Sequence, residues 1–125
     1  MSNNKALSQQ QVKYPIIIEV IDDDNKKNVH CLIPSDLIYF DGHFTDNPVL
    51  PGVVQIHWAE FYARQEWSFS GGFTHLEKVK FQKILVPNEK IEIMLTFDLT
   101  KNRVHFSYSS IKGMHSSGYI CFSDE

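Results

Sequence analysis

The sequence predicts an α+β domain in which an antiparallel sheet covers one long helix, and three observations carry that expectation. From Val53 to Trp67 nearly every residue is apolar or a good helix former, with no proline or glycine inside. Four strand-like runs follow, separated by short turns that favour antiparallel neighbours. Two more runs precede the helix, so strands and helix are segregated rather than alternating. At 125 residues the chain suffices for one core but not for two.

Taken in order, residues 1–11 are polar and aperiodic, and the expectation is a disordered leader before one folded domain over 12–125. Pro15 to Ile21 reads as an isoleucine-rich strand, turned by Asp22-Asp23-Asp24-Asn25 into a second strand from Asn28 to Ile33 that Pro34 closes. Ser35-Asp36-Leu37 is a short turn into a loop. In that loop Asp41-Gly42 and Asp46-Asn47-Pro48 are turn formers, and Pro51-Gly52 marks the helix start. The helix, about Gly52 to Trp67, shows no clean polar side: Val53, Ile56, Ala59, Phe61, Tyr62 and Ala63 spread around its circumference. Such a helix is expected to be buried and to need a curved partner. Gly71-Gly72 stops it, and strands are expected over Phe73–Ile84, Lys90–Leu99, Arg103–Ser110 and Met114–Phe122. In the third of these, Val104, Phe106 and Tyr108 alternate with His105, Ser107 and Ser109, the period of a one-sided strand.

Composition narrows the function. A net charge of −3 gives no basis for electrostatic binding of nucleic acid, which needs a clustered basic face. No apolar run reaches the length of a membrane span and no signal-like segment opens the chain, so a cytoplasmic protein is expected. Cys31 and Cys121, far apart in sequence, are expected to be reduced thiols. His30, His75, His105 and His115 show no ligand spacing, and Gly71-Gly72 is no phosphate loop, so neither metal nor cofactor is expected.

The stretch with chemistry in it runs from Tyr39 to Trp58. His43 sits in the loop and His57 one turn into the helix, with a proline-glycine turn between them that leaves backbone N–H groups free at the helix start. Gly42-His43-Phe44 followed by Pro48-Val49-Leu50-Pro51-Gly52-Val53 closely resembles the signature of the β-hydroxyacyl-(acyl-carrier-protein) dehydratases of bacterial fatty-acid synthesis. Val79 to Glu89 and Ser117-Gly118-Tyr119 lend weaker support. The run Val54-Gln55-Ile56-His57-Trp58-Ala59 is similar to a dehydratase-like branch serving polyene-type pathways such as aryl polyene synthesis.

The resemblance implies a hotdog fold, a curved sheet wrapped around a central helix. It also implies a homodimer joined edge to edge, or pairing with a related hotdog subunit. Each site would take a histidine from one subunit and a helix residue from the other, acting on an acyl chain borne by an acyl carrier protein. Elimination of water from a 3-hydroxyacyl thioester needs a base at C2, an acid for the hydroxyl and donors for the carbonyl oxygen. By the resemblance His43 is the base, Val49 offers the carbonyl that orients its ring, and the Gly52 N–H receives the thioester oxygen. Phe44 and Val53, in the same signature, are the further substrate-contact candidates.

The family's helix carboxylate falls on His57, a departure. A histidine can still carry the proton, but it cannot act as a carboxylate. The nearest carboxylate on the same helical face is Glu60, three residues along, which could replace the acid or simply pair with Arg64. Two alternatives therefore stand beside the lyase. One is a hotdog thioesterase using Asp41 or Asp46, and the other is a non-catalytic acyl-binding or partner subunit.

Overall fold

Alternation of side chains across six strands sets the architecture. In the computed structural model, which describes residues 11–41, 46–69 and 71–124, β1 (Ile16–Asp23) and β2 (Lys26–Leu32) form a hairpin. The helix α1 (Gly52–Glu66) follows, then β3 (Phe73–Phe81), β4 (Lys90–Asp98), β5 (Arg103–Ser110) and β6 (Gly113–Phe122). The strands make one antiparallel sheet in the order β1-β2-β4-β5-β6-β3. The chain thus leaves the sheet after β2, crosses its inner face as α1 and re-enters at the far edge as β3. This is the hotdog arrangement: a curved six-stranded sheet around one central helix.

The period of two decides which face meets the helix. Val29 and Cys31 of β2, Ile91, Ile93 and Leu95 of β4, and Val104, Phe106 and Tyr108 of β5 all point inward. Against them α1 presents Val54, Trp58, Ala59, Tyr62 and Ala63, all buried. Trp58, Phe106 and Tyr108 are the bulkiest of the fully buried side chains, so aromatic rings fill the space between helix and sheet. The indole N–H of Trp58 donates to the Lys13 carbonyl at 2.9 Å, tying the chain before β1 to the helix.

The helix differs from the expectation in one respect. It is not covered all round: Val53 is 73% exposed, and His57, Arg64 and Gln65 are exposed with it. A six-stranded sheet reaches around part of a helix, and the remaining stripe stays open. The third strand also ends earlier than Ile84. The amides of Gln82 and Lys83 both turn to one acceptor, the His115 carbonyl, at 2.8 and 3.2 Å, which ends the ladder after Phe81. Residues 1–10 of the expected leader lie outside the described residues, while Val12 is half-buried and bridges to Leu37.

The edge strand β3 is irregular, and a glycine accommodates it. Its pairing with β6 shifts between Glu77 and Lys80, where Lys78 takes a positive φ of 51°. On β6 a Cβ at Gly118 would lie 2.8 Å from Val79 Cγ2 and 3.1 Å from the Val79 Cα, with the Phe106 ring 3.0 Å away on the other side. Backbone cannot yield there as a side-chain tip can. Gly118→Val should therefore cost about 1–3 kcal/mol, read as a lowered midpoint in urea unfolding. An unchanged midpoint would show that the bulge relaxes freely.

Candidate active site

The first turn of α1 builds the site. Pro51 caps the helix with extended backbone, φ −62° and ψ 148°, and its carbonyl accepts from the amides of Val54 and Gln55 at 3.1 and 3.2 Å. Helical geometry leaves the Gly52 and Val53 amides with no carbonyl behind them, so they face outward as donors at the positive end of the helix dipole. A side chain at Gly52 would displace the exposed ring of Phe81. The Phe81 ring lies 2.5 Å from where a Cβ would sit.

A cleft of about 360 Å³ opens beside this turn. One wall is Val49, Leu50, Pro51, Gly52 and Gln55, and the other is Phe81, Gln82, Lys83 and Ile84. Its surroundings are mainly apolar, with backbone donors at one end, a combination that suits a polar head on an apolar chain. Two candidates from the sequence, Val49 and Gly52, are brought together here. Val53 sits next to them but turns outward.

Gln55 was not singled out by sequence reasoning, although it holds this turn in place. It is buried, and its Nε2 donates to the Leu50 carbonyl at 3.2 Å. Its Oε1 accepts from the Ser116 hydroxyl at 2.6 Å, and its backbone carbonyl accepts from the Tyr108 hydroxyl at 2.6 Å. Burial also raises the Tyr108 pKa, keeping that hydroxyl a donor. The signal available in the sequence was an amide side chain between apolar neighbours on a helix that must be covered. Nearby, His115 is fully buried and bridges the Ile84 carbonyl, 3.0 Å from Nδ1, and the Ser110 hydroxyl, 2.6 Å from Nε2. It supports the opposite wall of the cleft.

His57 does not join this cleft within one subunit. Five residues beyond Gly52, it is rotated about 140° around the helix axis. It lies on the open stripe, where its Nε2 is 3.5 Å from the Tyr14 hydroxyl. Glu60 is half-buried and its Oε2 accepts from Arg64 Nε at 2.9 Å, an ordinary i,i+4 ion pair. His43 and Phe44 lie outside the described residues. Asp41 and Asp46, the carboxylates a hydrolase would need, are both exposed and neither lines the cleft. Both cysteines are free, and burial pushes the Cys31 thiol up to about 12, so it is a packing residue.

Comparison with known proteins agrees with the fold. The family model described as ApeI dehydratase matches residues 19–119. The chain is similar to a subunit of the dehydratase heterocomplex ApeI:P from Xenorhabdus doucetiae, at 30% identity and a TM-score of 0.80, covering 86% of this chain and 96% of that one. It is also 30% identical over 70 residues to a 3-hydroxyacyl-[acyl-carrier-protein] dehydratase, FabZ, of Thermoanaerobacter sp. (strain X514), a match covering 50% of this chain and 49% of the relative. The chain thus spans about half the length of the curated relatives it matches. At 14% identity and a TM-score of 0.67, the dehydratase domain from the CurF module of curacin polyketide synthase shares the fold, covering 90% of this chain and 45% of that one.

Replacing Gln55 by Leu tests the buried amide. The change keeps most of the volume but strands the Leu50 carbonyl and the Ser116 hydroxyl, at a cost of about 1–3 kcal/mol. Thermal unfolding should shift down accordingly, and amide exchange at Leu50 to Val54 should quicken more than in β4. Equal exchange in both places would remove Gln55 from the role of anchor.

Proposed function

Because the chain belongs to the ApeI-like dehydratase family, we propose that it is a lyase. It acts on 3-hydroxyacyl groups carried as thioesters by an acyl carrier protein, removing water to leave the 2-enoyl thioester. One observation carries this reading: α1 begins at a glycine that lines a mainly apolar cleft, at the positive end of the helix. In the reaction the C2–H bond is broken by a base and charge gathers on the thioester oxygen. An amide donor already aimed at that oxygen is worth about 3 kcal/mol of barrier. Here Gly52 is that donor, His43 is the base, the Val49 carbonyl orients the His43 ring, and Phe44 contacts the acyl chain, whereas Val53 turns away from the cleft.

The acid for the leaving hydroxyl is His57, reaching the cleft of a second subunit. Its place on the open stripe, away from the cleft of its own chain, supports an assembly in which each site is shared. The edge strand β3 supports the same assembly: Phe73, Leu76 and Phe81 are exposed along it, and one side of its ladder is unpaired. We propose edge-to-edge pairing through β3, with a second copy or with a related hotdog chain, in the cytoplasm. No helix among the described residues is long and apolar enough to cross a membrane. The run Val54-Gln55-Ile56-His57-Trp58-Ala59, similar to a dehydratase-like branch of polyene-type pathways, supports aryl polyene-type synthesis as the setting of the reaction.

A second reading keeps the fold and halves the chemistry. Histidine stands where the resembling dehydratases have a carboxylate, which favours a subunit that supplies its acid only within a mixed pair. Thioester hydrolysis is not favoured, since Asp41 and Asp46 stand apart from the cleft.

Incubation with a 3-hydroxyacyl carrier protein, following enoyl product and free thiol together, separates the readings. Enoyl product without free thiol is expected, and free thiol without enoyl product would identify a hydrolase. His43→Ala should lower the rate about 10²–10⁴-fold and His57→Ala about 100-fold, while His57→Glu retains turnover. Full activity in either alanine variant overturns its assigned role. Turnover only after co-expression with a partner hotdog chain establishes the mixed pair.

A further inference from the structure

The outer face of the sheet carries a second constellation, far from the Gly52 cleft. His75 and Glu77 stand two apart on β3, and Cys121 is the cross-strand partner of His75 on β6. All three project to the side away from α1. Cys121 alternates with Ile120 and Phe122, which face the core. One ligand-type atom from each of the three lies within 4.8 Å of the other two.

Hydrogen-bond polarity shows which atoms are available. The Thr74 hydroxyl donates to the Cys121 carbonyl at 3.0 Å, so it can only accept from His75 Nδ1, 2.9 Å away. Nδ1 therefore carries a proton, and Nε2 is the nitrogen left to meet the Glu77 carboxylate at 2.9 Å. A carboxylate accepts only, so an electrophile must lie between Nε2 and Oε2: a proton, or a metal cation in its place. Arg103 donates to Glu77 Oε1 at 2.8 Å and itself lies 3.5 Å from Asp98, which holds the carboxylate with Oε2 toward His75.

We propose that His75 Nε2, Glu77 Oε2 and Cys121 Sγ form a site for a divalent, borderline-soft cation, Zn²⁺, clamping the edge strand β3 to β6. Nitrogen, oxygen and thiolate at tetrahedral distances from zinc lie about 3.3–3.6 Å apart. The cluster reaches this by opening the 2.9 Å Nε2–Oε2 contact by a few tenths of an ångström and drawing in the Cys121 sulfur, which starts within 4.8 Å of both atoms. His75 is exposed, leaving a fourth position to water. Binding is a displacement: the Cys121 thiol loses its proton, and the ion takes the place of whatever proton lies between Nε2 and Oε2. Burial first, and then the Glu77 carboxylate, raise the Cys121 pKa, so in the metal-free protein the sulfur is a thiol. The groups facing it are Glu77 and His75 from β3, Arg103 from β5 with Asp98 of β4 behind it, and Tyr119 on its own strand, whose ring lies 3.9 Å from the Arg103 guanidinium. Arg103 opposes a cation by its charge and favours it by orienting the carboxylate.

The test uses the full chain, freed of metal by chelator and titrated with Zn²⁺ against a chromophoric competitor. One equivalent should bind with release of protons and a raised unfolding temperature. Co²⁺ in its place should give a thiolate-to-metal charge-transfer band. Cys121→Ser should abolish that band, and His75→Ala should weaken Zn²⁺ binding at least about 10-fold, while circular dichroism shows both variants folded. Absence of binding, affinity unchanged in both variants, or Co²⁺ bound without the sulfur band overturns the site.

Discussion

A buried amide in the first turn of the helix is the contact on which the rest of the structure depends. Gln55 joins the loop before the helix through the Leu50 carbonyl, the last strand through Ser116, and the centre of the sheet through Tyr108. Each bond contributes only about 1 kcal/mol net. Their geometry matters more, because they fix where the helix begins relative to the sheet. Apolar packing of Trp58, Ala59 and Tyr62 would tolerate small slides along the helix axis, whereas three directed hydrogen bonds at one residue do not. The donor amide of Gly52, three residues earlier, inherits its position from that anchor.

The consequence is a site placed at a boundary. The cleft lies between the first turn of α1 and the end of β3, where the two amides after Phe81 leave the ladder for the His115 carbonyl. Strand β3 is one edge of the sheet, so the cleft opens beside an unpaired ladder. The open stripe with Val53 and His57 lies on another side of the same helix. A helix that a sheet can only partly cover thus presents Gly52 to the cleft and Val53 and His57 outward.

The two faces of the sheet run on different physics. Inward, Ile93, Leu95, Val104 and Phe106 exclude water and supply the driving force for folding. Outward, Arg103, Glu77, His75 and Asp98 form a charged network across three strands, with Tyr119 under the guanidinium. Half-buried pairs that still meet solvent, such as these, add little to stability. Their order follows from the pleat, since every second residue of adjacent strands must share a side.

Much of this was legible in the chain itself. Periodicity located every strand and the helix, and the punctuation at Pro51-Gly52 placed the helix start, because these are local consequences of backbone sterics and side-chain alternation. Gly42-His43-Phe44 and the run from Pro48 to Val53 likewise pointed to the family, by their resemblance to its signature. What the chain could not disclose is whatever depends on residues distant in sequence meeting in space. The buried role of Gln55 rests on Tyr108 and Ser116, more than fifty positions away. The open stripe of the helix depends on how far a six-stranded sheet can reach. The grouping of His75 with Cys121 exists only because β3 crosses to pair with β6, which no spacing of ligands along the chain reveals.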